Sequence, residues 1–156
     1  MTFDDDVRDL YQEVILDHGR KPRHGHRLAA YDVTAKGDNP MCGDRVEVFV
    51  KLADDGTIAE TGFEARGCAI SVASADLMAE IVQGRGKADT RALFETFREL
   101  VRTGNCPEHD RALDESLERL APLAGVHEYP SRVKCATLPW HALVAALDGT
   151  REASSE

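Results

Sequence analysis

No two cysteines in this 156-residue chain are spaced Cys-x-x-Cys, which removes the usual signature of zinc fingers and thioredoxin-like redox sites. No apolar run reaches the roughly 20 residues needed to span a bilayer. The opening acidic run Asp4-Asp5-Asp6 is unlike a signal peptide. A basic surplus is also missing: 19 Lys and Arg stand against 28 Asp and Glu, a formal net charge of −9. That balance argues against a nucleic-acid partner, since phosphate binding needs a positive surface. The chain shows no internal repeat and no linker. A soluble, cytoplasmic protein is therefore expected. Thiols stay reduced there, so its four cysteines read as ligands or nucleophiles before disulfides.

What is present suits one domain with its own core. Hydrophobic residues make up 42% of the chain and charged residues 30%, which is ordinary for a globular protein. Val7, Leu10, Tyr11, Val14 and Ile15 recur at helical spacing, and the acidic start suits a helix N-terminus. Gly19 and Pro22 are expected to end that helix. The basic stretch Arg20 to His26 reads as a loop, either a solvated connector or a partner-binding segment. Alternation over Tyr31, Val33 and Ala35, then over Val46, Val48, Val50 and Leu52, predicts two strands. Asp54-Asp55-Gly56 is a hairpin turn signal, and a third strand is expected from about Thr57 to Arg66. The remainder is helical. The pattern predicts a helix over about 69–83, a third capped by Asp89 and stopped by Gly104, a fourth around Leu113, Leu117 and Leu120 stopped by Pro122, and a last one around Leu143, Val144 and Leu147. Pro139 belongs in the first turn of that last helix or at a kink. The expected architecture is α+β, a three-stranded antiparallel sheet packed against about five helices. It forms one domain over 1–149, followed by a flexible tail over 150–156.

Three cysteines sit in marked local contexts. Cys42 lies in Asn39-Pro40-Met41-Cys42-Gly43-Asp44, where a turn lets Cys42 and Asp44 converge. Cys68 follows Gly67 at an expected helix N-terminus, where the dipole and free amides favour thiolate. Cys135 is expected just ahead of the last helix. With Asp44 these residues offer three thiolates and one carboxylate, a tetrahedral donor set suited to zinc. Arg132 and Lys134 can offset the surplus negative charge or meet a partner, or they are ordinary surface bases. Cys106, in Gly104-Asn105-Cys106-Pro107, reads as an incidental loop thiol. Each cysteine taken alone could also be a small buried apolar residue.

On these residues the chain resembles the NifU/IscU-like family of iron–sulfur assembly proteins, and within it the SufU branch. The matching pieces are Asn39 to Asp44, Gly67-Cys68-Ala69-Ile70-Ser71 with Ala73-Ser74 and Met78, and Arg132-Val133-Lys134-Cys135-Ala136 with Leu138 and Trp140. The opening is similar as well, through Leu10-Tyr11, Ile15, Asp17-His18, Pro22-Arg23 and Gly25. The likeness runs from about Val7 to Leu147. Two departures from the scaffold branch favour SufU-type proteins. Lys134 stands where scaffold proteins carry a histidine before the third cysteine, and the segment between the second and third cysteines is longer.

The resemblance implies a SufE/NifU-like fold and a zinc-dependent sulfurtransferase. In that reading Cys42, Asp44, Cys68 and Cys135 hold Zn2+, and Cys42 accepts persulfide sulfur from a pyridoxal-phosphate cysteine desulfurase of the SufS type. It further implies that a desulfurase histidine takes a coordination position, freeing Cys42 to attack, and that Asp44 loosens during the exchange. A downstream cluster-assembly complex would then receive the sulfur. Two other readings use the same residues: a scaffold building an iron–sulfur cluster on Cys42, Cys68 and Cys135, and a structural zinc module.

Overall fold

The computed structural model describes residues 3–40 and 43–154; Cys42 lies outside them, as do the side chains of Val7 and Leu10. The chain opens with α1 (Phe3–Arg20), followed by β1 (Val33–Asn39), β2 (Asp44–Leu52) and β3 (Ile58–Arg66). Then come α2 (Ala69–Ile81), α3 (Lys87–Thr103), α4 (Asp114–Leu120) and α5 (Pro130–Leu147), and a last short strand β4 (Glu152–Ser154). A 3-10 turn, Arg111–Leu113, leads into α4, and a 3-10 helix, Ala121–Glu128, separates α4 from α5. The expected α+β fold is the one observed. β1, β2 and β3 form an antiparallel meander in the order β3-β2-β1, with β4 outside β1. Gly56, at φ +86, makes the β2–β3 turn, where Ala53 and Thr57 close the hairpin.

One face of the sheet carries Ala35, Val46, Val48, Val50 and Phe63, all buried. Period-two alternation directs these side chains to one side, where α2 and α5 cover them. Behind α5 lies α3, whose Phe97 ring is 5.2 Å from that of Trp140. Trp140, Phe97, Leu93 and Leu143 are all fully enclosed. At about 1.5–3 kcal/mol for each such side chain, this seam between α3 and α5 is a principal source of stability.

The loop between α1 and β1 covers the opposite face. Phe49 is buried there, with the Tyr31 ring 5.1 Å away and the Arg27 guanidinium 5.1 Å above it. The basic stretch before Arg27 leaves Arg20, Lys21, Arg23 and His26 exposed, with His24 as its main inward attachment. Asp76 of α2 is completely buried. His18 of α1 lies 2.5 Å from one of its oxygens, and the His24 amide donates to the other at 2.8 Å. Arg23 in turn donates to Asp17 at 2.6 Å. A buried carboxylate is tolerable only when so satisfied, so this contact fixes α1 against α2.

Several boundaries differ from the sequence expectation. Cys135 is not ahead of the last helix but in its second turn, because Pro130 starts α5 at a first-turn position that suits proline's fixed φ. Pro139 sits in the helix interior rather than in the first turn, and it forgoes the bond that would have run to the Cys135 carbonyl. Asp89 is in the first turn of α3, while Gly86 holds the cap position; Asp89 instead pairs with Arg85 at 2.9 Å. The fourth helix does stop ahead of Pro122, at Leu120, but the chain continues into a 3-10 helix with Pro122 near its start. Within the segment expected to be a flexible tail, Glu152–Ser154 pair in parallel with Lys36–Asp38. The outer edge of β1 offers backbone groups that this strand satisfies.

Candidate metal centre

Three elements converge at one end of the sheet. The β1–β2 connection is tightened by the Gly43 amide donating to the Asn39 carbonyl at 2.8 Å, with Gly43 at φ +76. A side-chain-bearing residue rarely adopts that conformation. Asp44 begins β2 immediately afterwards and is buried. Cys68 caps α2 with extended backbone, as expected, and is half-buried. Cys135 reaches the same point from α5 and is buried.

The Cys68 amide donates to Asp44 Oδ1 at 3.2 Å, and Cys68 Sγ lies 3.7 Å from Asp44 Oδ2. One donor atom each from Asp44, Cys68 and Cys135 falls within 4.8 Å of the other two. Gly67 makes this approach possible. A Cβ at that position would lie 2.3 Å from Asp44 Oδ1, so any larger residue would displace the carboxylate.

The electrostatics separate the two sulfurs. A hydrogen bond from Cys135 draws the Cys68 thiol down from 9.0 to about 6, and the Ser71 and Ile70 amides act in the same direction. Burial and the Asp44 carboxylate oppose them. Cys135 is pushed well up, mainly because Cys68 holds its proton in place, and burial adds to this. The negative charge therefore rests on Cys68, where the helix N-terminus stabilises it. Arg132, one turn before Cys135, is held above its usual range by the charge on Cys68 and by a hydrogen bond to Cys135. Of the two bases singled out in the sequence, Arg132 is thus the one drawn to the sulfurs. The Lys134 backbone carbonyl accepts from Thr137 Oγ1 at 3.4 Å.

Cys106 lies apart from this group. Its sulfur is 3.5 Å from His109 Nδ1, and burial with the Asp114 carboxylate pushes the thiol up. The sequence reasoning missed two contributors, the Asp76–His18 tie and the clearance at Gly67. A glycine directly before the candidate ligand Cys68 was the visible signal for the second.

The model of the NifU-like N terminal domain matches residues 10–136. The chain belongs to this family. It is 36% identical over 144 residues to the zinc-dependent sulfurtransferase SufU of Bacillus subtilis, covering 92% of each chain. It is 35% identical over 141 residues to the iron-sulfur cluster assembly scaffold protein IscU of Streptococcus pyogenes, covering 90% of this chain and 84% of that one. A crystal structure of a putative iron-sulfur cluster assembly scaffold protein for the SUF system from Fervidobacterium islandicum superposes with a TM-score of 0.77 at 30% identity. That match covers 90% of this chain and 98% of the other. Among the described residues, no helix is long and apolar enough to cross a membrane.

Proposed function

We propose that this protein is a zinc-holding sulfur acceptor of iron–sulfur cluster assembly. Cys42 would take persulfide sulfur from a cysteine desulfurase of the SufS type and pass it to a downstream assembly complex. The observation that carries this reading is the clustering of one carboxylate and two cysteine sulfurs within 4.8 Å. Two sulfurs with one oxygen suit zinc's borderline-soft character. Asp44, Cys68 and Cys135 would hold the ion, with Cys42 as fourth ligand by its position two residues before Asp44. Bound zinc supplies charge that keeps thiolates deprotonated, and it has no redox chemistry of its own.

The remaining work falls to the chain. Cys68 carries negative charge readily at the N-terminus of α2, and Arg132 balances it. Cys42, which lies between Asn39 and Asp44 in sequence, is the thiolate assigned to attack the outer sulfur of the donor persulfide. The S–S bond of the donor breaks, a new S–S bond forms on Cys42, and the donor cysteine leaves as a thiolate. Incubation with a purified cysteine desulfurase and cysteine, followed by site-resolved mass spectrometry, should add one sulfur atom to Cys42. An unmodified Cys42, with zinc bound and the desulfurase turning over, would reject the assignment. A stable coloured cluster formed on anaerobic reconstitution would instead favour the scaffold reading, the activity for which the Streptococcus relative is named.

Gly67→Ala provides an independent check on the site. Its Cβ would occupy the space of Asp44 Oδ1, so the carboxylate must move. Zinc affinity is expected to fall about 10–100-fold, as it does when a ligand's orienting neighbour is lost. Competition with a chromophoric chelator measures this directly, and circular dichroism should show the fold unchanged.

A further inference from the structure

A groove of about 660 Å³ runs between α1, the first turn of α2 and the 3-10 helix Ala121–Glu128. Ile15, Ile70, Pro122 and Val126 line it. Among the described residues, the large hydrophobic side chains left exposed are Leu16, at 42%, and Tyr129, at 60%. Both stand at this groove. Exposed apolar area gathered around one concavity marks a contact surface, and a tyrosine with one wet and one apolar side is typical of interface anchors.

The groove is continuous with the metal centre. Ala69 and Ile70, in its wall, directly follow Cys68. Tyr129 caps α5, which carries Arg132 and Cys135 one and two turns later. Gly19 brings α1 against Ala69 so closely that a Cβ there would lie 3.0 Å from the Ala69 side chain. A sulfur arriving on another protein's cysteine requires that protein to cover this rim. A small ligand would need convergent buried polar groups, whereas Gln12, His127 and Glu128 in this lining are all exposed.

We infer that the groove docks a projecting apolar segment of the sulfur-donating protein, with Leu16 and Tyr129 as its contacts. This rests on the sulfur-acceptor reading. The test compares the intact zinc-loaded protein with Leu16→Ser and Tyr129→Ser, using a purified cysteine desulfurase supplied with cysteine. Binding is measured by titration calorimetry without cysteine, and sulfur transfer is followed separately. Each variant should raise the dissociation constant and the half-saturating concentration at least about tenfold. Zinc content and the transfer rate at saturation should stay as in the unmodified chain.

Unchanged binding in both variants would overturn the inference, as would a self-associated protein whose dimer these same substitutions dissolve. If the unmodified chain bound the desulfurase through these residues yet accepted no sulfur, the sulfur-acceptor reading would fail while the groove assignment stood. Absence of any binding by the unmodified chain would overturn both.

Discussion

Cys42→Ala is expected to reduce sulfur acceptance to background while leaving a folded protein that still binds zinc, though more weakly. Cys68→Ala and Cys135→Ala are expected to lose both activities. The asymmetry follows from where the three residues sit. Cys68 caps a helix and shares a hydrogen bond with Cys135, and Cys135 is buried within α5. Both therefore belong to the packed junction of α2, α5 and the sheet. Removing either sulfur leaves the buried Asp44 with one cysteine where the cluster had two, and it removes the hydrogen bond that fixed the proton between them. Cys42 falls in sequence between β1 and β2 and belongs to neither strand, so its loss removes no residue of their pairing. Zinc content by atomic absorption and persulfide by mass spectrometry on the three variants separate the roles. Equal loss of zinc in all three would assign Cys42 the same holding role as the other two. Retained sulfur transfer in Cys42→Ala would remove it as the acceptor.

Asp44 and Cys68 were legible because they lie at element boundaries, where local sequence signals are strongest. Gly67-Cys68 announced a helix start, and the Asn39-Pro40 and Gly43 cues announced a turn; α2 and the β1–β2 connection begin where those cues fall. Cys135 was misplaced because two prolines compete as boundary signals in that region. Pro139 is the one embedded in a helix that packing sustains, and Pro130 is the one that starts it. Alternation identified the inner face of the sheet through Val46, Val48 and Val50, yet Phe49, also fully buried, breaks that pattern. It is covered by the α1–β1 loop, and no period in the strand can report a covering loop. The Asp76–His18 contact spans 58 positions, so neither residue's neighbours could foretell it. β4 was invisible for a related reason: its residues are small and polar, and β1's open edge, rather than their own propensity, makes them a strand.

Removing zinc from the loaded protein is expected to lower its melting temperature on the order of 10 °C. A ligand present at a thousand times its dissociation constant stabilises the fold by about 4 kcal/mol, and each kcal/mol shifts a domain of this size by about 2–4 °C. The metal-free chain should then reveal the sulfur pair through its pH dependence. Cys68 has a folded-state value of about 6 against an ordinary 9.0. Its contribution to stability is fully present above pH 9 and is lost as pH falls through 6. Cys135 is shifted the other way, so its contribution is present below pH 9 and declines at higher pH. Between pH 6 and 9 the unfolded chain binds more protons at Cys68 than the folded one, and stability must rise with pH. The urea midpoint of the reduced, metal-free protein should therefore increase from pH 6 to pH 8.5, and Cys68→Ser should flatten that rise. Because Cys68 is only half-buried, screening keeps this effect smaller than the loss of zinc. An unchanged melting temperature on chelation, with the metal verified as removed, would show that α2, α5 and the sheet meet at this corner without help from an ion.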